Sequence, residues 1–171
     1  MMNRVLPTIA AIFAAALLQV GLAPYIAIAG VVPNILQLVV VTLALVEGPA
    51  AGAAAGFAAG LAFDLLGAGP VGPMVLVLTV IGYGAGLLHE NMFAEGWLLP
   101  LTVLAIASLA SALAYGLLLD VLGAGGPFLL AFFTKMFPEA LYDTALALLV
   151  YPWLARFLRQ DRPMKTFRRL A

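Results

Sequence analysis

The chain has 171 residues, 65% of them hydrophobic and only 9% charged, with a mean hydropathy of +1.14, and a soluble domain of this size has no interior large enough to hide that much apolar surface. The net charge of zero conceals an asymmetry, because six of the eight Lys and Arg lie after residue 155. Cysteine is absent, which excludes disulfides and thiolate chemistry.

At roughly 20 apolar residues per crossing, the length accommodates about six spans and almost no extramembrane domain. The spacing predicts a first span over 5–29, after Arg4 and closing around Pro24 and Tyr25. Its charged start and Ala27-x-Ala29 also fit a signal peptide, but the apolar core is long, and cleavage would leave five spans with no charges to hold an outside N-terminus. A second span, 33–47, opens at Pro33-Asn34, with Pro placed in the first turn where its missing N–H costs nothing, and is short for a crossing.

The third span, 49–66, is built almost wholly of Ala and Gly. Gly52, Gly56, Gly60 and Asp64 recur every four residues, so on a helix they form one slowly drifting stripe, with Ala59 lying off it. Such a helix gains in lipid only by letting neighbouring backbones approach closely, and it reads as the central span of a bundle. Gly69-Pro70 and Gly72-Pro73 turn the chain into a fourth span, 74–88, which carries Gly82 and Gly86 in a GYGAG face. The polar loop His89 to Gly96 follows, and Trp97 marks the interfacial start of a fifth span, 97–122.

That fifth span repeats the third. Residues 108–125 align without a gap on 52–69 with nine of eighteen positions identical, pairing Gly60 with Gly116, Asp64 with Asp120 and Gly67-Ala68-Gly69 with Gly123-Ala124-Gly125. Alanine and leucine matches arise by composition alone, whereas Gly, Asp and a GAG turn in register do not. Residues 127–137 are apolar but contain Lys135 and read as a short membrane-surface segment. Pro138-Glu139 then looks like the start of a sixth span, 139–157.

These readings give an all-α polytopic membrane protein, a bundle of six transmembrane helices with short loops over 1–158, and a basic tail over 159–171. By the positive-inside rule the tail is cytoplasmic, six spans bring the N-terminus to the same side, and contact with anionic lipid headgroups explains the tail better than nucleic acid does.

Few residues suggest chemistry. Asp64 and Asp120 lie within a turn of helix C-termini, where the macrodipole disfavours a carboxylate; either they couple ions or, as their symmetric placement favours, they are structural, each solvated by headgroup water or bonded to a neighbouring helix N-terminus such as that at Pro138. His89 is the single His, so a His-based metal cluster is impossible, and it reads as a solvated loop residue. Ser108 and Ser111 read as small packing residues without a nucleophile motif, and Tyr142-Asp143 lacks the GxGD partner of an intramembrane aspartyl protease. No phosphate-binding loop is present, and no cofactor or metal is implied.

Pro33-Asn34, the small-residue helix ending in Asp64, Gly69-x-x-Gly72, the GYGAG of Gly82 to Gly86, the Pro138 helix start, Tyr151-Pro152, Arg156 and the basic tail together resemble the rod shape-determining protein MreD family along essentially the whole chain. Asn34 departs from the Asp common in that family. The resemblance implies a non-enzymatic scaffold of the bacterial inner membrane, working in cell elongation and peptidoglycan synthesis. It would bind MreC and, through it, act with the RodA glycosyltransferase, a penicillin-binding transpeptidase and MreB. The stripe, the repeat and the resemblance together single out for helix packing or partner binding Pro33, Asn34, Gly52, Gly56, Gly60, Asp64, Gly82, Gly86, Gly116 and Asp120. The family is also similar in fold to the substrate-binding S component of energy-coupling-factor vitamin transporters, which supplies the alternative function. Ala11-x-x-x-Ala15 resembles the face with which such a component docks. The polar groups expected of a vitamin pocket, Asn34, Gln37 and Tyr83, are few.

Overall fold

The computed structural model describes residues 2–89 and 98–159. Its long helices are α1 (Met2–Gly21), α2 (Ile35–Glu47), α3 (Pro49–Leu66), α4 (Pro73–Leu87), α5 (Leu98–Val121) and α7 (Phe137–Arg159), the last preceded by the short α6 (Phe128–Ala131) and a π turn over Phe132–Met136. Among the described residues there is no strand, only a bridge between Ile28 and Val31. Two stretches, Pro49–Leu66 and Pro100–Val121, are long and apolar enough to cross a membrane, and Leu6–Gly21, Ile35–Glu47 and Pro73–Leu87 are shorter apolar helices.

The centre of the bundle is α2, not the small-residue helix α3. Every residue from Ile35 to Val46 is buried, and α2 packs against α1, α3, α4, α5 and α7. A helix that is apolar on all sides is stable only when it is enclosed on all sides. Alanine and glycine carry too little surface to anchor a core, so α3 becomes the close neighbour of α4 instead.

The α3–α4 hairpin is the tightest contact in the fold. A Cβ placed on Gly52, Gly56 or Gly60 would overlap Gly82 O, Leu78 O and Val75 Cα respectively, and one on Gly86 would overlap Pro49 Cα. Glycine is required here because the two backbones touch. Ala59, expected off the packing stripe, is also fully buried, because α3 packs on α1 and α2 as well as on α4.

Three boundaries differ from the sequence expectation. The first helix ends at Gly21 rather than near 29; a 3-10 turn over Ala23–Ile26 and a reversal with positive φ at Ala29 and Gly30 follow, since Gly21 and Pro24 break the helical run. Pro33 precedes α2 instead of occupying its first turn, and Asn34 is the N-cap. Pro138 does not start a helix: the chain is helical from Phe128 through Arg159, and the π turn carries the Phe137 N–H to Phe132 O. Widening the turn is how a helix continues past a proline that neither donates nor tolerates the carbonyl one turn back.

The first span's small-residue face is also turned inward. Ala15 is 2% exposed within the core and Ala11 packs on the same cluster, so these residues are not free to dock a transporter partner.

Candidate functional site

The buried N-terminus of α2 is where the polar side chains converge. The first N–H groups of any helix lack intrahelical acceptors, and burying them without partners is costly. Here partners arrive from several elements. Asp143 of α7 accepts the Asn34 N–H at 2.8 Å. Gln19 of α1 accepts the Ile35 N–H at 2.8 Å and donates to Pro33 O at 3.0 Å. The Asn34 side-chain oxygen accepts the Gln37 N–H at 3.0 Å. The helix at the centre of the bundle is thereby tied to the first and last helices.

One turn further in, Gln37 joins α2 to α5. Its amide donates to Ser108 Oγ at 3.0 Å and accepts a short hydrogen bond from Ser111 Oγ. The two serines are therefore hydrogen-bonding partners rather than spacers. Their i, i+3 spacing put them on one face in the sequence, but only the tertiary structure brings Gln37 between them.

Beside this network lies a cavity of about 240 Å³. Asn34, Gln37 and Ser111 form part of its wall; Met74, Leu119, Phe128 and Met136 line it with apolar surface, and Lys135 and Glu139 contribute opposite charges. Spaced four residues apart, Lys135 and Glu139 straddle the end of the π turn, yet they make no ion pair with each other among the described residues. Tyr115 also lines the cavity and packs edge-on against Phe63 with ring centroids 6.2 Å apart, joining α5 to α3.

The two repeat carboxylates part company. Asp64 is 4% exposed and accepts the N–H groups of Gly72 at 2.8 Å, Met74 at 3.3 Å and Val75 at 3.2 Å. It caps α4, the next helix in the hairpin, and not the helix at Pro138. Asp120 is exposed, and no hydrogen bond reaches its carboxylate among the described residues. The backbone explains the divergence. Gly123 has φ of +68° and directs the Gly123 and Ala124 N–H groups to Asp120 O and Leu119 O, closing α5 on itself as a Schellman cap. Gly67, its repeat partner, is extended at φ −83°, so that chain runs on to deliver the α4 N-terminus to Asp64.

The remaining sequence candidates fall in different places. Gly52, Gly56, Gly60, Gly82 and Gly86 belong to the hairpin interface, whereas Gly116 faces the flexible end of Met136 beside the cavity. Tyr83, a candidate pocket residue, is 51% exposed and away from the cavity wall. His89 is half-buried, not a solvated loop residue: its Nδ1 lies 2.7 Å from Leu45 O, a carbonyl that only accepts, so Nδ1 donates and ties down the C-terminal end of α2. Sequence reading missed Gln19, and it weighed Asp143 only as half of a protease signature and not as a cap of α2. A polar residue inside an apolar run was their one signal. The tail charges beyond Arg156, and the loop from Glu90 to Trp97, lie outside the described side chains.

Comparison with known proteins gives one match and two blanks. The family described as rod shape-determining protein MreD matches residues 2–160 of the chain. No curated protein and no solved structure matches it.

Proposed function

This chain belongs to the rod shape-determining protein MreD family, and from that premise we propose that it is a non-enzymatic, multi-pass scaffold of the bacterial inner membrane that binds MreC and stabilises the cell-elongation complex. The family match over residues 2–160 carries the reading, and the architecture supports it. Several polar side chains hold helices together: Asp64 caps α4, while Asp143 and Gln19 cap α2. Ser108 and Ser111 likewise join α5 to α2 by bonding to Gln37. In lipid, a partner's single span would associate with such a bundle through van der Waals packing and interhelical hydrogen bonds.

The experiment is co-purification. The full chain, extracted from native membranes into lipid nanodiscs, is expected to bring down MreC, and RodA with the transpeptidase through it. Recovery of the chain without MreC, from cells where MreC is present and stable, sinks the proposal.

A further inference from the structure

Asn34 is the one residue whose buried side-chain polar atom goes unanswered among the described residues. It is 2% exposed, and its Nδ2 has no hydrogen-bond partner. The amide cannot be turned round to repair this, because its oxygen is held by the Gln37 N–H and a flip would set donor against donor. Among the described residues no neighbouring acceptor lies within hydrogen-bond reach of Nδ2, Asp143 bonding the Asn34 backbone N–H instead and Gln37 the two serines. Buried donors in native proteins are almost always paired, so the missing acceptor is a feature to be explained.

Asn34 also lines the cavity of about 240 Å³, and such a volume exceeds what one bridging water occupies by an order of magnitude. Its wall is apolar at Met74, Leu119, Phe128 and Met136, and carries Lys135 and Glu139. The π turn sets Lys135 and Met136 into that wall; departures from α geometry of this kind recur at functional sites. We propose that this cavity binds a small amphipathic molecule through an acyl carbonyl, ester or amide, which accepts from Asn34 Nδ2 while the apolar body lies against Phe128, Met136 and Leu119. The polar end of the molecule meets Lys135 and Glu139. The proposal stands apart from the scaffold reading, since a bundle that never met MreC would bind such a molecule equally well.

The test uses the full chain, which has no Cys of its own. Ala131→Cys places a single thiol on the cavity wall and Ala68→Cys places one on an exposed turn. Maleimide labelling in dodecyl maltoside is timed with dihexanoyl-phosphatidylethanolamine or N-hexanoylglycine amide as probe. At least one probe is expected to slow labelling at position 131 about tenfold and saturably, leaving position 68 unchanged; protection by the phospholipid alone assigns the carbonyl to a lipid, and protection by the amide assigns it to a non-lipid molecule. Asn34→Asp keeps the oxygen that receives the Gln37 N–H and removes the donor. It is expected to raise the half-protecting concentration at least tenfold. Should that variant lose its cooperative unfolding transition, Ala112→Phe, which fills the cavity from α5, decides in its place. Labelling indifferent to both probes, or protection undiminished in the variant that decides, overturns the proposal.

Discussion

At the scale of single residues, the same side chain in the same motif does opposite things. Asp64 and Asp120 close two aligned segments, yet Asp64 holds three N–H groups of the next helix turn and Asp120 is exposed. Hydrogen bonds to a charged acceptor contribute more than neutral ones, and a buried donor left unpaired costs about 1–3 kcal/mol. Asp64→Ala is therefore expected to destabilise the bundle by several kcal/mol, whereas Asp120→Ala should stay within about 0.5 kcal/mol of the parent. Reversible unfolding of both variants in mixed micelles measures this. Equal losses would mean that Asp64 does not act as a cap.

At the scale of elements, the glycine stripe is selective. Adding a methyl at Gly56 drives it into the Leu78 backbone, while a methyl at Gly116 meets only the terminal atoms of Met136, which can swing aside. Gly84 has nothing within 4 Å of where a Cβ would stand. Overpacking against backbone costs about 1–3 kcal/mol, and an unobstructed Gly→Ala change inside a helix stabilises it by up to about 1 kcal/mol. Gly56→Ala is expected to lower the unfolding midpoint strongly, Gly116→Ala slightly, and Gly84→Ala to leave it unchanged or raise it. A large side chain at Ala58, which is exposed, serves as the neutral control, whereas one at the fully buried Ala59 would not. If Gly56→Ala unfolds no earlier than Gly84→Ala, the hairpin is not as close as described.

At the scale of the whole molecule, the turns at 67–72 and 122–127 and the start of α2 share one end of the bundle, because α3 and α5 both run toward it and Asp64 and Asn34 meet their partners there. On the proposed topology of six crossings with a cytoplasmic basic tail, that end would face the periplasm. Single cysteines at Ala68 and Ala124 should react with an impermeant maleimide from outside the cell, and one at Gln160 should not; external labelling of Gln160 would reverse the topology. The tail itself gives a separate prediction. If its charges serve orientation and lipid contact, replacing its Arg residues by Lys should preserve insertion and cell length, while replacing them by Glu should scramble orientation. Loss of elongation on the Lys exchange, with insertion intact, would point instead to bidentate recognition of a partner.

The amino-acid sequence by itself determined the helical class, the boundaries of α3 and the stripe that α3 turns toward a neighbour, and the resemblance to the family that matches residues 2–160. These depend on composition and on periodicities of a few residues, which local sequence carries. Only the tertiary structure decided that α2 lies at the centre, that the repeat diverges, and that Gln19, Asn34, Gln37 and Asp143 meet around one helix end. Asn34 and Asp143 are 109 positions apart and bond directly. No local pattern encodes such a pair, because each residue, read in its own segment, is only a polar break in an apolar run. Their common purpose arises when burial of α2 removes water from its first N–H groups and other helices must supply the acceptors.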